Sequence, residues 1–149
     1  MTQTQQPDSL AQRACTTLLF PFVSNSTATS PQFDTAIVIT NASAEPFGSE
    51  PNFGSCRVHY FGHVTGGGAA PPTQTSSPIP PGSQLVFTLS TGGSFGIAAT
   101  PGFQGYLVIE CFFPDAYGFA MIGDIGFRSI ATAYLAQVLR ERLRTPKPE

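Results

Sequence analysis

The chain is poor in charge. Only 11% of its 149 residues are Asp, Glu, Lys or Arg, against roughly 25% in an average globular domain. Lysine occurs once, at Lys147, and tryptophan is absent. The formal net charge is −2. No basic stripe exists to neutralise phosphates, which argues against nucleic acid as a partner. Long apolar runs are missing as well. No stretch reaches the roughly 18 apolar residues that a membrane-spanning helix needs. The opening residues "MTQTQQPDSLAQRAC" show no apolar segment of the secretory type. "RERLR" at 140–144 reads as a solvated chain end.

Turn chemistry is abundant. The 15 glycines and 14 prolines make about a fifth of the chain, above the usual ~12%. Hydrophobic residues reach 41%, so the chain can build a core and is not of the disordered class. Its length suits one domain. Few charges, many turn formers and short alternating runs predict an all-β protein.

The strands can be placed. "LLFPFV" (18–23) is a strand in which Pro21 removes a ladder donor, so it lies at an edge or carries a bulge. "TAIVITN" (35–41) puts Ile37 and Ile39 on one face. "SCRVHYFGH" (55–63) puts Cys56, Val58 and Tyr60 opposite Arg57, His59 and Phe61. The Gly/Pro-rich segment 64–82 reads as a long mobile crossover. "SQLVFTLS" (83–90) and "FQGYLVIECFF" (103–113) are further strands. "PDAYG" (114–118) is the turn of a hairpin whose return strand is "FAMIGDIGF" (119–127). Residues 129–143 fit a short C-terminal helix or a strand equally, since Ile130, Tyr134 and Val138 have helical spacing while Tyr134, Ala136 and Val138 alternate. The expected fold is a single antiparallel β-sandwich, jelly-roll or immunoglobulin-like, over 15–139. A flexible arm (1–14) precedes it and a charged tail (140–149) follows.

On this alternation Cys56 and Cys111 both point into the core. A bridge between them closes a loop of about 55 residues, worth on the order of 4 kcal/mol in the chain-entropy model. Two buried thiols are the other reading. Cys15 is left over, and in an oxidising setting an odd cysteine suggests intermolecular pairing.

Motifs for chemistry fail on context. "GGSFG" around Ser94 matches a nucleophile elbow, but no helix follows and both histidines precede the serine. His59 and His63 on one strand lie about 13 Å apart, too far for one metal. Glu110, Asp115 and Asp124 are assigned structural roles. Asn25 and Asn41 open glycosylation sequons by pattern alone. No catalytic residue, metal set or cofactor is expected.

The blocks "LLFPFVSN", "FDTAIVITNASAEPFG", "GSCRVHYFG", "FQGYLVIECFFPDAYGFAMIGD" and "AYLAQVL" carry a resemblance over about residues 15–139. In their order and spacing the chain resembles an uncharacterised β-rich domain of predicted extracellular or surface proteins of environmental bacteria. That resemblance implies a cell-surface or secreted setting. It also implies that Cys56, Cys111 and Cys15 match cysteines typical of the family. It brings no catalytic residues.

The functional expectation is a non-enzymatic extracellular structural or adhesive module. It assembles with itself, its arm 1–14 adding to a neighbour's sheet edge and Cys15 serving as an intermolecular contact. The alternative is a carbohydrate-binding module that binds surface glycans, with Tyr60, Phe61, Tyr106 and Tyr117 as stacking residues.

Overall fold

The computed structural model describes residues 15–28, 32–44, 50–124 and 130–139. The arm 1–14 and the tail 140–149 lie outside them. The described chain forms β1 (Thr16–Ser24), β2 (Phe33–Asn41), β3 (Cys56–Val64), β4 (Gly68–Ala69), β5 (Gln74–Thr75), β6 (Gln84–Thr88), β7 (Gly92–Gly93), β8 (Phe103–Cys111), β9 (Ala116–Asp124), β10 (Ile130–Leu135) and β11 (Gln137–Leu139). Two antiparallel sheets pack as a β-sandwich, with no helix of seven or more residues among the described ones. Sheet one has the order β11-β1-β8-β3-β4, with β5 also on β3. Sheet two has the order β10-β9-β2-β6-β7.

Alternation decides which side chains meet between the sheets. Leu18, Phe20, Leu107 and Ile109 from sheet one face Ile37, Ile39, Leu85 and Phe87 from sheet two, all fully or almost fully buried. Each such side chain contributes about 1.5–3 kcal/mol over its exposed state. In β1 the register against β8 shifts between Phe20 and Val23. Pro21 and Phe22 occupy this bulge, as the missing proline donor requires. Next to it Gly62 and Gly105 pair across β3 and β8. Gly62 has φ +147, and a Cβ on Gly105 would sit 1.9 Å from the Phe61 carbonyl oxygen, so neither position has room for a side chain.

Three expectations are corrected. First, β8 and β9 do not form a hairpin. β8 pairs with β1 and β3, whereas β9 pairs with β2 and β10. Residues 112–115 carry the chain from one sheet to the other, and Pro114 and Asp115 serve that crossover as readily as a hairpin turn. Second, of the two readings left open for 129–143, the described residues take the strand and the short C-terminal helix is excluded for them. β10 extends sheet two and β11 extends sheet one, with the switch at Ala136, whose N–H donates to the Gly118 carbonyl at 2.9 Å. The Tyr134 hydroxyl donates to the Phe22 carbonyl across the sandwich. One short segment thus ties one side of both sheets together. Third, the segment 64–82 is anchored. Ile79 is fully buried and bridges Gly54, and Ser76 donates its N–H to the Cys56 carbonyl while its hydroxyl oxygen accepts from the Cys56 N–H.

Candidate functional site

Cys56 and Cys111 sit directly opposite one another on β3 and β8, with Cα atoms 4.1 Å apart, and are joined by a disulfide. The N–H of Cys56 donates to Ser76 Oγ and its carbonyl accepts from the Ser76 N–H, so its backbone bonds go to the 76 segment and not to Cys111. That leaves the close, non-hydrogen-bonded kind of pair, which suits a bridge across two strands. Both half-cystines are fully buried. Cys15 is outside the bridge. It lies half-buried at the start of β1, beside a groove of about 250 Å³ shared with Pro114, Tyr117 and Val138.

The outer face of sheet one gathers most of the polar chemistry. Arg57 is registered opposite Glu110, and His59 is one step further along β3 on the same face. Glu110 Oε1 lies 2.6 Å from His59 Nε2 and 3.9 Å from Arg57 Nη1. A carboxylate only accepts, so Nε2 carries the proton, and in the neutral ring Nδ1 then accepts from Thr73 Oγ1 at 3.1 Å. Arg57 also lies over the Phe112 ring, 5.3 Å from its centroid. Beside this row Phe61 and Tyr106 stack with centroids 4.9 Å apart and planes 14° off parallel. Each is 43% exposed. The Phe61 ring and the Glu110–His59 pair border a shallow groove of about 250 Å³, lined also by Thr17 and Val108. It offers an aromatic ring next to a carboxylate that His59 and Arg57 already engage.

The expected stacking residues do not converge. Tyr60 faces the core, edge-on to Phe103 at 5.3 Å, and its hydroxyl accepts from Gln74 Nε2. That burial removes it from any stacking surface. Tyr117 is exposed but stands on sheet two. Only Phe61 and Tyr106 share a surface. Sequence reasoning placed Glu110 on the outer face and missed its pairing with His59, because the two are adjacent only through the β3–β8 register. Ser94 is spent on structure: its hydroxyl donates to the Val86 carbonyl and accepts from the Val86 N–H.

Both sequon asparagines are internal. Asn25 Nδ2 donates to the Phe33 carbonyl while Oδ1 accepts from the Gly102 N–H. Asn41 is fully buried, Nδ2 donating to the Asn52 and Ile79 carbonyls and Oδ1 accepting from Ser43. Neither amide can carry a glycan in the folded state. Asp124 is buried, with Oδ1 accepting from the Gln32 N–H and Oδ2 without a hydrogen-bond partner among the described residues.

Burial pushes the Tyr60 hydroxyl from 10.0 up to about 12. The folded state therefore holds this proton more tightly than the unfolded chain does. The stabilisation is complete below pH 10 and is lost as pH rises from 10 towards 12, by up to about 1.4 kcal/mol per pH unit. Between pH 9 and pH 11 the native protein should lose roughly 1 kcal/mol more stability than Tyr60→Phe. Urea unfolding at the two pH values checks this, and equal losses would refute it.

No family model matches the chain, and no curated protein matches it. Among solved structures it is similar to "Crystal Structure of Thermotoga maritima 1070", at 14% identity and a TM-score of 0.53, over 82% of this chain and 92% of that one. At that identity the likeness establishes a shared β-sandwich architecture and no activity.

Proposed function

We propose that this chain is a non-enzymatic extracellular structural module that assembles with itself. The observation that carries the reading is β10. Among the described residues Ile130–Leu135 is paired to β9 on one side only, and it contains no charge and no proline. Natural edge strands are usually blunted by such residues, because a bare edge accepts another strand. Here the arm 1–14, whose residues lie outside the described ones, supplies that strand to a neighbouring copy. The buried Cys56–Cys111 bridge supports a place outside the reducing cytoplasm, since such bonds persist in oxidising compartments. The cell-surface setting agrees with the family resemblance carried by the sequence.

Electron microscopy and light scattering of the purified protein under non-reducing conditions test this. The full chain should form regular higher-order particles, and deletion of residues 1–14 should abolish them. Assembly that survives the deletion, or a full chain that never assembles, would sink the arm mechanism.

The Phe61–Tyr106 stack supports a second reading, a carbohydrate-binding module that holds a sugar ring against sheet one. Glycan-array binding lost in Tyr106→Ala would favour it. An array without hits would remove it.

A further inference from the structure

The outer face of sheet two carries apolar rows across four strands, bordered by the polar row Tyr117, Thr40 and Gln84. Leu135, Phe119, Val38 and Val86 form one continuous register row from β10 through β9 and β2 to β6. The next row is Ala133, Met121, Ala36 and Thr88. The row after it begins Ala131, Gly123 and Asp34. Leu135 is 79% exposed, Tyr117 60%, Met121 45% and Val86 41%. Asp34 is the one charged side chain in these register rows, and the buried Asp124 lies at their end. Asp34 already accepts from the Ser90 hydroxyl and from the Thr35 and Ser90 N–H groups. Four strands ~4.8 Å apart and seven residues long at ~3.4 Å each give a flat area of about 450 Å². That is within the range of the largest patches on monomers, which are often functional. It is below the roughly 800 Å² per partner of a standard-size interface.

From this we infer that the outer face of sheet two is the contact of a two-fold dimer, its occupant the same face of a second copy. This rests on the self-assembly reading and adds a surface distinct from the β10 edge. The argument is size complementarity. An isologous contact needs bulk and space on one patch, at positions exchanged by the axis. A two-fold axis in the interface, running across the strands along the Met121 row, reverses each strand. It sets Leu135 of one copy over Ala131 of the other and Phe119 over Gly123. A hole of about 260 Å³ lies at that place, floored by Ala36, Gly123 and Ala131 and closed at one end by Asp34 and Asp124. It has the volume to receive a leucine side chain. The Met121 side chains of the two copies meet on the axis. Sheets packed this way lie ~10 Å apart, as in the core of a sandwich.

Light scattering and sedimentation of the chain lacking residues 1–14 isolate this contact from the arm. Dimers of twice the mass of the shortened chain are expected, and Met121→Lys should weaken them at least 100-fold. In a Cys15→Ser background, Met121→Cys should cross-link two copies on mild oxidation, while Tyr106→Cys on sheet one should not. A monomer at every concentration, Met121→Lys dimers as tight as the parent's, or equal cross-linking at positions 121 and 106 would each overturn the inference. A full chain that stops at the dimer would instead sink the arm mechanism and leave this face standing.

Discussion

Replacing Cys56 and Cys111 together by alanine is expected to cost about 4 kcal/mol. The bridge spans a sequence separation of 55 residues, and releasing a loop of that size restores roughly 4 kcal/mol of chain entropy to the unfolded state. For a domain of this size the melting temperature should fall by roughly 8–16 °C. Part of any loss will come from the space left by two fully buried sulfurs. The Cys56→Val, Cys111→Val pair refills that space and keeps the loop open, so it should recover only the packing share. Thermal unfolding of the three proteins without reductant is the measurement. A double-alanine protein within 1 kcal/mol of the parent would show that the strand pairing of β3 with β8 already restrains the unfolded chain.

Legibility followed the reach of each signal. Alternation is local, and it placed Cys56, Val58 and Tyr60 inward and Arg57 and His59 outward, as observed. It also put Cys111 with Leu107 and Ile109 in the core, which left a bridge to Cys56 and two buried thiols as the two readings, and the register of β3 on β8 decides for the bridge. The bulge at Pro21 came from the missing N–H of one residue. What could not be read was pairing between distant segments. "PDAYG" has turn chemistry whether the next strand folds back on β8 or crosses to sheet two. The choice is made by β9 finding β2, some 80 residues away. The end of the chain shows the same limit. "IATAYLAQVL" contains good helix formers, yet Tyr134 reaches the Phe22 carbonyl and β11 pairs with β1, and those contacts override propensity. In the candidate site, Phe61 and Tyr106 were each legible as aromatics. Their stacking, and the withdrawal of Tyr60 into the core, belong to the register of β3 on β8. The four-strand apolar row on sheet two is invisible in sequence, because its members come from three separate regions.

The second large effect is expected at Asn41, which the sequence presented only as a sequon. Its side chain is fully buried where β2 ends, and it saturates its hydrogen bonds. Nδ2 donates to the Asn52 carbonyl at 2.8 Å and the Ile79 carbonyl at 2.9 Å. Oδ1 accepts from the Ser43 hydroxyl at 2.7 Å and from the Ser43 N–H at 3.2 Å. One amide therefore holds three pieces of chain: β2, the stretch before β3, and the segment that brings Ile79 into the core. Asn41→Ala strands the buried Ile79 carbonyl and the Ser43 N–H, while the Asn52 carbonyl can still accept from the Ser43 hydroxyl. At about 1–3 kcal/mol for each buried group left without a partner, the loss should reach roughly 3–5 kcal/mol. Asn41→Asp should cost at least as much, because it sets a buried carboxylate against two carbonyl oxygens. Ser43→Ala removes fewer bonds and should cost about 1–2 kcal/mol. The double variant Asn41→Ala, Ser43→Ala should then be less destabilised than the two losses added, since the pair shares one network. Urea midpoints at unchanged slope give all four values. An Asn41→Ala loss below 1 kcal/mol would mean that water enters the site and replaces the amide. The 50–54 and 76–83 segments would then owe their position to Ile79 packing and to the backbone bonds of Gly54, Ser76, Ile79 and Gly82.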